Sequence, residues 1–138
     1  MKFSFETKTD VAREKIWRFY SDVNKWFSWE DDLKSITLDG EFKLGTSGIM
    51  ELEGMPPMKY TLTEVIENKI FTDKTIIDQM GTVYFIHELY DKDNSTIVKH
   101  SVEFIPVTTV ETEEQSKFLN QIFSDVPTSI YKLIEAAR

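Results

Sequence analysis

No cysteine occurs in the 138 residues, which excludes a disulfide framework, a thiolate nucleophile and a zinc site with sulfur ligands. Positive charge is also scarce: 16 Lys and Arg stand against 24 Asp and Glu, a formal charge of −8. A surface of that sign opposes a phosphate backbone or an anionic lipid face, which argues against nucleic acid as a partner. No run approaches the roughly 20 apolar residues that cross a bilayer. The opening MKFSFETKTD lacks the apolar stretch of a secretory signal, so the expectation is a cytoplasmic protein without membrane insertion. Proline and glycine are few, 4 and 5, and no repeat, low-complexity run or flexible linker divides the chain. The length fits one domain over residues 1–138, burying about two thirds of its unfolded surface. Aromatic residues are plentiful at 13%, enough to line a core or a cavity.

The most ordered stretch lies at the end. From Thr112 to Arg138, the residues Phe118, Leu119, Ile122, Phe123, Val126, Ile130, Leu133, Ile134 and Ala137 fall on one helical stripe, with polar residues opposite. The spacing predicts one long amphipathic helix, opened by a capping box of Thr112 and Gln115 and kinked near Ser124 to Thr128 by Pro127. Residues 2–9 alternate as a strand. Asp10 is placed to cap a short helix with Ile16, Trp17, Phe19, Tyr20 and Val23 on its apolar face, and Asn24 to Trp29 reads as a second helical turn. From Ile36 the period becomes two, predicting strands at about 35–44, 46–53, 58–67, 70–78, 82–91 and 96–105. Their connections are short, so neighbours pair antiparallel. Residues 108–114 lead into the final helix.

One register follows from chemistry. With Lys92 to Ser95 as the loop, Leu89 faces Val98, His87 faces His100 and Phe85 faces Val102, while Glu88 meets Lys99 on the reverse face. A slip of one residue spoils both the apolar and the charged pairs. The two histidines of the chain thus become cross-strand neighbours on the face toward the long helix. The strand at 70–78 has no such phase. Either Phe71, Asp73, Thr75 and Ile77 or Ile70, Thr72, Lys74 and Ile76 point inward.

A strand, two short helices, six antiparallel strands and a long terminal helix is an α+β order. With Glu14, Ile16 and Trp17, Asp22, Trp26 and Trp29, Gly40 and Gly45, Tyr60 to Glu64, Ser95-Thr96-Ile97 and Leu133-Ile134-Glu135, the chain resembles the polyketide cyclase/dehydratase branch of the START-like (SRPBCC) superfamily. That superfamily includes the major birch pollen allergen and steroidogenic lipid-transfer domains. The resemblance covers about residues 3–136 and implies the helix-grip fold, a curved sheet of about seven strands wrapped around a C-terminal helix. Its members range from lipid carriers to cyclases to chaperone activators, with no universal catalytic residue, so it carries over a fold and not a reaction.

Between sheet and helix the pattern predicts an apolar pocket lined by Trp29, Met50, Leu52, Tyr60, Leu62, Glu64, Phe85, His87, His100, Val102, Phe118, Ile122, Phe123, Val126 and Ile130. Met55, Met58 and Met80 join Met50 as candidates for an adaptable rim. The expected partner is a small hydrophobic molecule, a lipid, an aromatic or a polyketide-like compound, with no cofactor and no metal. A first alternative is a cyclase-type enzyme in which His87 or His100 acts as general acid or base and Tyr60 polarises a carbonyl. A second is a protein-interaction module of the chaperone-activator kind. Against the chemical role of His87 and His100 stands the plain one of core histidines with satisfied hydrogen bonds, and two histidines with only the remote Glu64 do not make a metal site. Apolar outer-face residues such as Tyr84, Ile86 and Ile97 leave a monomer or a homodimer open. Gly40 to Ser47 has the glycines of a phosphate loop but Thr46 at the lysine position. Asn94-Ser95-Thr96 matches a glycosylation acceptor that a cytoplasmic protein would not use, and Gly45 to Gly48 lacks the spacing of a nucleophile elbow.

Overall fold

The computed structural model describes residues 1–108 and 112–138. The expected lead at 108–114 therefore falls partly outside the described residues. Strand β1 (Lys2–Thr9) is followed by helix α1 (Arg13–Ser21) and a 3₁₀ helix (Val23–Ser28). Then come β2 (Leu33–Ile36), β3 (Ser47–Leu52), β4 (Met58–Ile66), β5 (Ile70–Ile77), β6 (Gly81–Lys92) and β7 (Ser95–Pro106), and finally α2 (Glu113–Ser124) and α3 (Val126–Ala137). The seven strands form one antiparallel sheet in the order β1-β7-β6-β5-β4-β3-β2. Each loop from β2 to β7 joins neighbours, and β1 closes onto β7 from the far end of the sequence.

The β6–β7 hairpin has the register its side chains dictate: Leu89 opposite Val98, His87 opposite His100, Phe85 opposite Val102, and Glu88 opposite Lys99. Pairing runs up to Lys92 and Ser95, so the turn is tighter than a four-residue loop. Asp93 and Asn94 both take positive φ, 51° and 65°, the backbone of a type I′ turn whose twist matches the flanking strands. In β5 the inward phase is Phe71, Asp73 and Thr75, all buried, with Ile77 continuing the same face.

Several expectations are corrected and one is sharpened. Asp10 does not cap α1, whose N-cap is Ala12 without a side-chain bond; its carboxylate instead accepts a 3.0 Å hydrogen bond from Arg138 at the end of α3. The strand expected at 35–44 stops at Ile36. Two backbone bonds continue past that point, from Thr37 to Ile49 and from Asp39 to Ser47, before the chain turns at Gly45, φ 92°. The loop folds Phe42 back against Trp17 and Phe71, at ring separations of 6.1 and 5.2 Å. The long terminal helix is present, interrupted at Asp125 inside the stretch where the kink was expected, as α2 and α3. Pro127 falls in the first turn of α3, where its missing N–H is tolerated, so the interruption lies next to the proline that predicts it. Finally, Ile97 is buried, and Tyr84 and Ile86 are half-buried rather than exposed.

The capping box is present, with Gln115 N–H donating to Thr112 Oγ1 and Thr112 N–H to Gln115 Oε1, both at 3.2 Å. Helix α3 buries Val126, Ile130, Leu133, Ile134 and Ala137, whereas α2 buries only Gln115 and Leu119. The sheet is thus gripped firmly by α3 and covered loosely by α2. Among the described residues no helix is long and apolar enough to cross a membrane.

Candidate functional site

A cavity lies where α2 stands off the sheet. Its floor comes from inward positions of β3 to β7, its roof from Phe118, Gln121 and Ile122 of α2 with Asp125, Val126 and Ser129 at the joint, and one side from Trp26 and Trp29. It holds about 130 Å³. One water needs only about 10–15 Å³, so the space is of organic-ligand size.

The side wall is fixed by indole N–H groups spent on backbone. Trp26 Nε1 donates to the Tyr20 carbonyl at 2.9 Å and Trp29 Nε1 to the Phe19 carbonyl at 3.1 Å. Both tryptophans thereby pin the end of α1 and turn their rings toward the core. Tyr20, fully buried, packs its ring against Phe71 at 4.9 Å and Trp29 at 5.7 Å, and its hydroxyl and His100 Nε2 share a 2.6 Å hydrogen bond.

The histidines sit side by side, ring centres 4.7 Å apart. His87 stacks on Phe71 at 3.9 Å and 6°. Burial holds His87 down to about 3, against a weak upward pull from its bond to the Phe71 carbonyl. Burial, then the neighbouring His87, holds His100 well below the ordinary histidine value. Both rings are neutral at physiological pH. A carbonyl only accepts, so His87 Nδ1 donates to Phe71 O at 3.3 Å and Nε2 is left as a lone-pair acceptor. His87 and His100 both line the cavity.

Carboxyl groups share this space. Asp73 is 3% exposed, lines the cavity, and burial pushes it up to about 8. Glu30, half-buried as a residue but with its carboxyl enclosed at the wall, is pushed up to about 8 by burial first and then by the charge of Asp73. Asp125 is raised by burial and by its hydrogen bond to Asp32. Next to Asp73 on the same face of β5, the hydroxyl of Thr75 is buried without a hydrogen-bond partner. Among the described residues no group of three or more His, Asp or Glu is arranged to hold a metal ion.

Of the residues expected at the pocket, Trp29, Met50, Leu52, Phe85, His87, His100, Val102, Phe118, Ile122 and Val126 line the cavity. Five do not. Tyr60 and Leu62 are buried beneath it, the Tyr60 hydroxyl donating to the Thr37 carbonyl at 2.7 Å. Glu64 is exposed, because a bulge in β4 between Leu62 and Glu64 reverses the side-chain alternation beyond it. Phe123 turns to Phe3 at a 4.8 Å ring distance, and Ile130 is fully buried in the core under α3. Of the methionines, Met55 and Met58 line the cavity with Met50, while Met80 packs against the core.

Asp73, Thr75 and Glu30 were not singled out by sequence reasoning. Asp73 had a signal: aspartate is depleted in strand interiors, and in FTDKTII it sits mid-strand.

No protein-family profile matches the chain, and no curated protein matches it. Among solved structures 244 chains match, so the fold is widely used and does not by itself select a function. The crystal structure of Ara h 8.0201 superposes with a TM-score of 0.74 over 99% of this chain and 97% of that one, at 14% sequence identity. With its seven-stranded antiparallel sheet, the two short helices after β1 and the helical C-terminus, the chain is an α+β protein of the helix-grip fold.

Proposed function

We propose that the protein binds a small, largely apolar molecule in the cavity between sheet and helices. The observation that carries this reading is the cavity itself, roofed by Phe118, Ile122 and Val126 and floored by Met50, Leu52, Val83, Phe85 and Val102, with histidine, hydroxyl and carboxyl groups among them. That mixture of apolar wall and convergent polar groups is what a small-molecule site needs for affinity and orientation. The loose cover supports it further: α2 is only partly buried, so a ligand can enter without breaking the core that α3 forms. Native mass spectrometry of the purified protein, followed by solvent extraction, is the test. A bound species of a few hundred daltons, lost on extraction, is expected. A single apo mass together with no uptake of any apolar compound would overturn the reading.

A second reading is turnover of such a molecule. It is favoured by one pairing in the same cavity, the acceptor nitrogen of His87, able to hold a substrate hydroxyl, and a carboxyl of Asp73 held protonated near neutral pH, a potential acid. His87→Ala and His100→Ala separate the readings: a binder loses affinity in these variants, whereas unchanged turnover of an identified substrate removes both histidines from any catalysis.

A further inference from the structure

We propose that the cavity selects an organic cation, a molecule with an aromatic or apolar body and a protonated amine, with the ammonium lying against Asp73 and Thr75. This rests on the reading of the cavity as a ligand site and adds the chemical class of the ligand.

Charge sets the sign. Glu30, Asp32, Glu53, Asp73 and Asp125 line the cavity and no lysine or arginine does. Lys132 of α3 is already paired with Asp31. An acidic lining alone fits a solvated mouth, but Asp73 does not belong to a mouth: it is on the sheet floor and 3% exposed. Thr75 is 1% exposed and its hydroxyl is buried without a hydrogen-bond partner. A buried polar group left without a partner is costly, so this hydroxyl, beside Asp73 on one face of one strand, points to something that meets it.

Geometry sets the shape. Asp73 and Thr75 are alternate residues of β5, on one face and roughly 7 Å apart along the strand. Both can accept, and an alkylammonium has three N–H donors. His87, on the adjacent strand β6 opposite Phe71, lines the cavity further along the sheet. Trp26 and Trp29 stand in the side wall, where aromatic faces attract a cation and the body attached to it. Burial holds the Asp73 and Glu30 carboxyls up to about 8, so without a cation nearby both keep their protons at neutral pH and neither is an uncompensated buried charge. An ammonium replaces such a proton and turns the costly ionised form into a paired one. A metal ion does not fit, since no group of three or more ligating side chains converges among the described residues.

Isothermal titration calorimetry of the full chain with naphthylmethylamine, naphthylmethanol and naphthoate tests this. The three share a body and differ in the head. The amine is expected to bind about tenfold or more tighter than the alcohol, the order of one charge-assisted contact shielded from water, with the carboxylate weakest. Asp73→Asn, close to isosteric, brings the amine-to-alcohol ratio near one. Thr75→Val lowers that ratio by a smaller factor and serves if the Asp73 variant does not fold. An alcohol that binds as well as the amine, or a ratio untouched by both substitutions, overturns the assignment while leaving the apolar cavity standing. Binding of none of the three overturns both.

Discussion

Gly48 marks the tightest approach in the sheet. A Cβ there would lie 2.0 Å from the Thr37 carbonyl oxygen and 2.9 Å from the Tyr60 ring, and the first neighbour is backbone, which cannot swing aside. Gly48→Ala is expected to cost about 2 kcal/mol or more, seen as a lower urea midpoint with unchanged slope. Tyr20→Phe keeps the ring and removes the partner of His100 Nε2. A cost of about 1–3 kcal/mol follows from the buried nitrogen left unpaired, with the imidazole nitrogen resonances of His100 shifting in NMR. Asp73 makes stability depend on pH. Its folded value of about 8 lies above the ordinary 3.8, so across that window the folded state keeps a proton that the unfolded chain has lost. Stability therefore falls as pH rises through the window, by about 1.4 kcal/mol for each unit of displacement at most. His87, held down to about 3 from 6.5, acts at lower pH: its neutral burial favours the fold above 6.5, and that stability is lost as pH falls. Asp73→Asn is expected to gain stability relative to wild type between about pH 5 and about pH 9, and urea titrations at both ends check the sign. The pair His87 and His100 was legible in the sequence because each falls in an alternating strand. Asp73 was not, because its strand IFTDKTII carries apolar or threonine residues in both phases.

At the level of elements, the β6–β7 register could be read from residues because apolar pairs and the Glu88–Lys99 pair demand the same alignment. The turn itself has room for improvement. Asn94 holds φ 65°, a conformation glycine adopts without steric cost, so Asn94→Gly is expected to stabilise the protein by several tenths of a kcal/mol, about 0.5. A rise in the thermal midpoint checks it. The capping box at Thr112 was equally legible, as a local pattern with a local cause. The β4 bulge was not. One extra residue between Leu62 and Glu64 reverses which side chains face in, and nothing in TLTEV announces it, since both phases are chemically acceptable on a half-buried strand. The break at Asp125 was anticipated as a kink from Pro127. That it separates a loose α2 from a buried α3 depends on what the sheet offers each helix, a tertiary fact.

On the scale of the whole molecule, order of elements and hydropathy were enough to reach an α+β chain with an antiparallel sheet, because the period passes from two to helical, to two and to helical again and short loops leave only antiparallel pairing; the helix-grip fold followed from the family resemblance. The cavity's existence followed from that order; its acidic lining did not, since Glu30, Asp32, Asp73 and Asp125 come from separate elements that only the folded chain brings together. The central claim is that this space takes up an apolar molecule. Fluorescence titration with the neutral reporter N-phenylnaphthylamine, on wild type and on Ile122→Trp, which places a larger ring in the roof of the cavity, tests it most directly. Saturable one-to-one binding in wild type, weakened about tenfold or more in the variant, is the predicted result. No saturable binding in wild type, or the same affinity in both proteins, would contradict it.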